Sequence, residues 1–170
     1  MISAIEYREF VATRFKRQGS LSADLLHAAI GISGEVQELL AANTRENISE
    51  ELGDILFYCA AFELVALEAG QRIVATLGFD CSLEHAAISF RNHAGEMLDQ
   101  CKKFHIYNKP VVFSDSLLFN YRNIVNRVQN YCHILGFDFE AIMRSNYEKL
   151  KLHYPEGYSD QAAQERKDKQ

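Results

Sequence analysis

The chain has 170 residues, of which 48% are hydrophobic and 24% are charged, and its formal net charge is −5. This length and apolar content suffice for one domain with a hydrophobic core, and the acidic balance argues against a general nucleic-acid-binding surface. The four cysteines (Cys59, Cys81, Cys101 and Cys132) form no C-x-x-C pair, so we expect reduced core thiols instead of a structural zinc site.

The segments between chain-breaking residues show helical periodicity, and both prolines, Pro110 and Pro155, lie in evident connections. The sequence therefore predicts an all-α fold, an antiparallel bundle of about five to six helices. Gly19 should end the first helix, and Ser20 or Ser22 should cap the second. In chain order, we expect helices over about residues 4–18, 22–43, 47–69, 82–105, 114–135 and 138–152.

The connections and the C-terminal end indicate one domain. A Gly-Phe-Asp turn at 78–80 should separate the third helix from the fourth, which Ser82 should cap. There is no internal repeat and no long linker, so we expect a single helical domain over residues 1–158. The polar residues 159–170 should form a loosely held tail.

Two pairs of acids at three-residue spacing occur on the second and third predicted helices. Glu35 and Glu38 border an apolar stripe, and Glu51 and Asp54 share their helix face with large apolar residues. A short connection makes these helices antiparallel neighbours, so the four carboxylates can meet. Like charges about 4 Å apart repel by roughly 4 kcal/mol at an effective dielectric of about 20. The convergence therefore implies raised pKa values or bound cations, and cations are the simpler interpretation.

Two stretches of the chain carry a resemblance to a known family. Residues 34–58 read GEVQELLAANTRENISEELGDILFY, with an E-x-x-E motif followed after a short gap by E-x-x-D. This pattern resembles the signature of the MazG-type branch of the all-α nucleoside triphosphate pyrophosphohydrolases. Residues 146–157, NYEKLKLHYPEG, are similar to the N-x-x-K-L…Y-P-x-G segment near the end of many longer members. Residues 77–130 are similar only in their helical character.

The resemblance implies hydrolysis of a (deoxy)nucleoside triphosphate between the α and β phosphorus atoms, giving the monophosphate and pyrophosphate. It further implies that Glu35, Glu38, Glu51 and Asp54 bind Mg²⁺, for which Mn²⁺ could substitute, and oxygen ligands suit both ions. We assign Glu38 the role of general base toward the attacking water. Similarity to compact phage-type members favours a purine substrate, dGTP or GTP, and the superfamily favours a homodimer or homotetramer. Such an enzyme would control a nucleotide pool.

Five further residues are candidates for binding the nucleotide. Asn146 and Lys149 lie three apart on one face of the last helix and could contact phosphate or sugar if that helix folds over the acids. Tyr154 belongs to the same similar segment. Arg14 on the first helix could reach phosphate. His27, two turns before the first acid pair, could contact the substrate or be an ordinary, partly buried histidine.

Two other functions fit an acidic helical bundle. A di-iron carboxylate protein uses E-x-x-H ligand pairs, and none of the six histidines follows a glutamate by three residues. A non-catalytic regulatory module that binds a metal–nucleotide complex is the second alternative. Nucleotide binding without turnover would distinguish this module from an enzyme.

We expect no signal peptide, because polar residues soon follow Met1 and leave no apolar region of the kind that a signal peptide needs: Ser3, Glu6, Arg8 and Glu9. No later apolar run has the length needed to cross a membrane. We therefore expect a cytoplasmic protein with no membrane partner and no nucleic-acid partner.

Overall fold

A computed structural model of the chain describes residues 2–73 and 82–161. These residues contain six α-helices and no strand, which confirms the all-α prediction. The helices are α1 (Ala4–Ala12), α2 (Leu21–Ala41), α3 (Arg45–Glu68), α4 (Leu83–Ile106), α5 (Asp115–Leu135) and α6 (Phe139–His153). The predicted turn at 78–80, Cys81 and the tail beyond residue 161 lie outside the described residues.

Side-chain caps set the starts of the two acid-bearing helices. The Ser20 hydroxyl accepts a hydrogen bond from the Ala23 N–H and thereby caps α2, so Ser20 and not Ser22 fulfils this role. The Thr44 hydroxyl accepts from the Asn47 N–H at the start of α3. Only three residues, 42–44, connect the two helices. This short connection holds α2 and α3 side by side as an antiparallel pair.

The first helix is shorter than predicted, because α1 ends at Ala12 and not near Gly19. A continued helix would need the Thr13 carbonyl to accept from the N–H four residues later. Instead, that carbonyl accepts from the Tyr158 N–H at 2.9 Å. The Gln18 N–H donates to the buried carboxylate of Asp24 at 2.5 Å. These tertiary contacts draw residues 13–19 away from the helix axis, and the residues form a loop between α1 and α2.

One hydrophobic cluster contains residues from all six helices. Its fully buried members include Ile32 and Val36 on α2, Ile55 and Phe62 on α3, and Phe90 on α4. Helix α2 packs against α3 and α4, α5 packs against α4 and α3, and both α1 and α6 pack against α3. The acid-bearing α3 is therefore packed against four other helices: α1, α2, α5 and α6. These contacts fix its orientation.

Three of the predicted core thiols, Cys59, Cys101 and Cys132, are buried and unpaired, as expected. Among the described residues, no helix combines the length and the hydropathy that crossing a lipid bilayer requires.

Candidate active site

The α2–α3 pair brings the two acid motifs together at one end of the bundle. One carboxylate oxygen from each of Glu35, Glu38 and Glu51 lies within 4.8 Å of the others. Glu35 and Glu51 are partly buried, whereas Glu38 is exposed. Three oxygen donors this close together suit a hard divalent cation such as Mg²⁺.

The fourth predicted ligand, Asp54, lies in the same cleft but contacts α6. The Lys149 ammonium donates to Asp54 Oδ1 at 2.7 Å and to Oδ2 at 2.6 Å. It also donates to Glu50 Oε1 at 3.1 Å. The Asn146 amide donates to Asp54 Oδ1 at 2.6 Å. Both Asp54 oxygens are therefore already engaged by side chains of α6.

Asn146 lies beneath this carboxylate and does not line the main cleft. Its side chain is 3% exposed, and its Oδ1 accepts a hydrogen bond from the Tyr7 hydroxyl at 2.7 Å. The close approach of α6 depends on Gly53, since a Cβ there would lie 3.0 Å from the Asn146 Cβ. The predicted substrate contact of Asn146 is thus a contact with Asp54 in this structure. Tyr7 and Asn146 together orient the carboxylate.

The acids lie close enough to perturb one another. Burial, together with the charge of Asp54 and the other nearby acids, raises the pKa of Glu35 to about 8. Burial also raises the pKa values of Glu51 and Asp54, and in Asp54 it outweighs the opposing effect of Lys149. The site therefore resists the accumulation of negative charge. A bound divalent cation would relieve this repulsion, so the donor set fits a metal.

The acids line one wall of a cleft of about 600 Å³. All the predicted site residues except Asn146 line it. The complete lining is Arg14, Phe15, Lys16, His27, Glu35, Glu38, Asn47, Glu50, Glu51, Asp54, Phe57, Tyr58, Lys149, Leu150, His153, Tyr154 and Tyr158. The cleft thus combines an anionic wall with aromatic and cationic residues.

His27 belongs to the aromatic wall. Its ring stacks on Phe15 with centroids 4.6 Å apart, and its Nδ1 lies 2.9 Å from the carbonyl oxygen of Lys16. Because a carbonyl only accepts hydrogen bonds, Nδ1 carries the proton in this contact. Burial lowers the pKa of His27, which favours the neutral ring. Its Nε2 is then a hydrogen-bond acceptor beside the cleft.

The end wall of the cleft is formed by the α1–α2 loop and the segment that follows α6. In addition to the Tyr158–Thr13 hydrogen bond, Arg14 Nη2 donates to the Pro155 carbonyl at 3.2 Å. Gly157 has a φ of +98°, and a Cβ there would lie 2.8 Å from the Thr13 carbonyl oxygen. Only glycine accommodates both this backbone conformation and this close approach. The two segments are therefore held together directly beside Arg14 and Tyr154.

Several lining residues were not predicted, chiefly Phe15, Lys16, Phe57, Tyr58 and Tyr158. Phe15 and Lys16 lie in the loop that the sequence pattern assigned to α1. Gly31 on α2 was a sequence signal that a large side chain approaches this helix closely. A Cβ at Gly31 would lie 2.3 Å from the Tyr58 Cδ1 atom. Gly31 thus admits the Tyr58 ring between the two helices.

One comparison with known proteins agrees with this geometry. Residues 22–75 match the family model of the MazG nucleotide pyrophosphohydrolase domain. No curated protein and no solved structure gives a significant match. The matched segment contains most of α2, all of α3 and both acid pairs. Residues 22–75 are therefore similar to a MazG nucleotide pyrophosphohydrolase domain, and this similarity covers the helix pair that builds the acidic wall of the cleft.

Proposed function

We propose that this protein is a metal-dependent hydrolase that converts a (deoxy)nucleoside triphosphate to the monophosphate and pyrophosphate. The MazG match supports nucleotide pyrophosphohydrolase activity in general. The observation that carries the proposal is the approach of Glu35, Glu38 and Glu51 to within 4.8 Å inside the matched segment. This arrangement concentrates like charges that repel one another, and a bound divalent cation would neutralise them.

The residues that would hold the metal are Glu35, Glu38, Glu51 and Asp54, and the metal would be Mg²⁺ with Mn²⁺ as a substitute. When bound, such ions neutralise the acids, hold phosphate oxygens and lower the pKa of a coordinated water. The raised pKa values of Glu35, Glu51 and Asp54 support this assignment, because a bound cation would offset both the burial and the repulsion that raise them.

Glu38 is the proposed general base. It is the exposed member of the three-carboxylate group, so its oxygens are open to the cleft and to a water molecule there. Glu38 takes a proton from the attacking water as the water oxygen bonds to the α phosphorus. The bond between the α phosphorus and the α–β bridging oxygen breaks, and pyrophosphate leaves with the electron pair of that bond.

The remaining lining residues suit a nucleotide. Arg14 and Lys149 supply positive charge for the triphosphate, and Tyr154 and His27 lie along the walls. The volume of about 600 Å³ lies within the usual range for small-molecule sites. We further propose a purine substrate, dGTP or GTP, and a role in controlling the cytoplasmic nucleotide pool.

We also propose a homodimer or homotetramer. Large apolar side chains on the outer helices support self-association, since Ile88 on α4 is 59% exposed and Phe119 on α5 is 58% exposed. Light scattering coupled to size-exclusion chromatography tests this assembly.

Turnover of a nucleotide panel tests the proposed function. The full chain is incubated with Mg²⁺ and each of the eight common ribo- and deoxynucleoside triphosphates, and the products are separated by anion exchange. We expect monophosphate and pyrophosphate from at least one nucleotide, with dGTP or GTP among the best.

Glu38→Gln should lower turnover at least about 100-fold, because it removes the proton acceptor but keeps the shape of the side chain. Glu96→Gln is the matched control, since Glu96 begins a second E-x-x-D spacing on α4 and does not line the cleft. Equal losses in both variants would contradict the role of Glu38. Nucleotide binding without any turnover in the wild-type protein would favour the non-catalytic module.

A further inference from the structure

We propose that Lys149 is an internal counter-ion for the metal site, which neutralises Asp54 in the metal-free protein and is displaced when a divalent cation binds there. This inference rests on the proposed function, because it concerns the same four acids. Beyond that function, Lys149 and the metal compete for Asp54. Metal binding then frees the Lys149 ammonium to contact the triphosphate.

The contacts of Lys149 account for its whole donor capacity. A lysine ammonium has three N–H donors and no acceptor. Lys149 Nζ lies 2.7 and 2.6 Å from the two Asp54 oxygens and 3.1 Å from Glu50 Oε1. Its side chain is 26% exposed and that of Asp54 is 21% exposed. This ion pair is therefore partly shielded from water, and it takes up one acceptor position on each Asp54 oxygen, so a metal at Asp54 would compete with it.

The positions of the other three acids are consistent with Lys149 occupying Asp54. The oxygens of Glu35, Glu38 and Glu51 converge, but Asp54 is not part of the group within 4.8 Å. Asp54 nevertheless contributes to the raised pKa of Glu35, so the two carboxylates lie close enough to interact. Asp54 thus lies beside the three converging glutamates, and both of its oxygens contact Lys149.

Of the two α6 residues that contact Asp54, only Lys149 is suited to leave. Asn146 is neutral, 3% exposed and held from behind by the Tyr7 hydroxyl, so it can stay while a cation binds. Lys149 carries a positive charge, which a cation at Asp54 repels, on a flexible four-carbon stem. Lys149 already lines the cleft, so the displaced ammonium moves within the space that the triphosphate would occupy.

The displacement of Lys149 has two consequences for the binding of metal and nucleotide. Without nucleotide, the metal must compete with Lys149, so the ammonium weakens metal binding. With nucleotide, the displaced ammonium gains the phosphate oxygens as new partners, so metal and triphosphate strengthen each other's binding.

Mn²⁺ binding to the full chain without nucleotide tests the first consequence, using electron paramagnetic resonance to measure free Mn²⁺. Lys149→Met keeps the apolar stem and removes the charge, and we expect its Mn²⁺ affinity to rise about tenfold above wild type. Lys149→Arg keeps the charge and should stay near wild type. Lys151→Met is the matched control, because Lys151 lies two residues away on α6 and does not line the cleft.

A non-hydrolysable α,β-methylene triphosphate tests the second consequence. It should increase the Mn²⁺ affinity of the wild-type protein more than that of Lys149→Met. Should the variant fail to fold, the wild-type protein provides a second measurement: the ¹⁵N resonance of the Lys149 ammonium should shift when Mg²⁺ is added without nucleotide.

Unchanged or weaker Mn²⁺ binding by a folded Lys149→Met protein overturns the proposal, as does an ammonium resonance that Mg²⁺ leaves unchanged. Either result leaves the hydrolase function intact if wild-type protein still binds Mn²⁺ and releases pyrophosphate. Absence of Mn²⁺ binding by both wild type and Lys149→Met overturns both the inference and the metal-dependent function.

Discussion

Replacement of Glu35 with glutamine should stabilise the metal-free protein, although it removes a proposed metal ligand. Burial and the neighbouring acids raise the pKa of Glu35 from 4.5 to about 8. Between these values the folded protein holds a proton that the unfolded chain releases, so the free energy of unfolding falls as the pH rises through this range. Glutamine does not titrate, and it therefore removes this loss of stability.

The size of the effect follows from the exposure of the side chain. Each pKa unit corresponds to about 1.4 kcal/mol for a fully shielded group. Glu35 is only partly buried, and water in the cleft screens its repulsion from the other acids. We therefore expect about 2 kcal/mol of stabilisation at about pH 7.5, equivalent to a rise of roughly 4–8 °C in melting temperature.

The assay is thermal denaturation in the presence of a chelator, followed by circular dichroism at about pH 5 and about pH 7.5. The difference between Glu35→Gln and wild type should be large at the higher pH and small at the lower one. Added Mg²⁺ should raise the melting temperature of wild type much more than that of the variant. A variant that melts below wild type at the higher pH, or a difference that is the same at both, would refute the reasoning.

Two further substitutions test the packing around the site. Gly31→Ala should destabilise the protein by about 2 kcal/mol, because the added Cβ would lie 2.3 Å from the Tyr58 ring. Gly34→Ala is the control for urea denaturation, since a Cβ at Gly34 meets nothing within 4 Å, and its stability should be unchanged or slightly raised. Tyr7→Phe should cost about 1–2 kcal/mol by removing the buried hydrogen bond to Asn146. It should also weaken Mn²⁺ binding, and unchanged Mn²⁺ affinity would contradict the positioning role of Tyr7.

The features that follow from local sequence were predictable. Ser20, which caps α2, was one of the two predicted caps, whereas Thr44, which caps α3, was not predicted and starts that helix at Arg45, two residues earlier than expected. The approach of Glu35 and Glu51 follows from a helical period of about 3.6 residues and a short connection, both of which can be read from one stretch of the chain.

The features that depend on distant contacts were not predictable. The end of α1 is set by Tyr158, which takes the Thr13 carbonyl that a longer helix would have used. The contact of Asn146 with Asp54 joins residues 92 positions apart, and local spacing indicates only that Asn146 and Lys149 share a helix face. Which side chains of that face reach the acids, and from which direction, is set by the packing of α6 on α3.

The acidic wall and the end wall of the cleft are built in different ways. The acids that would bind metal stand on long helices anchored in the core, whereas the end wall consists of two irregular segments joined by the backbone hydrogen bond between Thr13 and Tyr158 and by side-chain contacts such as that of Arg14. Substitutions in these segments would change the end wall of the cleft without altering the helices that carry the carboxylates. Under the proposed function, a change in nucleotide preference would need changes only in these two segments, and the helices that carry the acids would be kept.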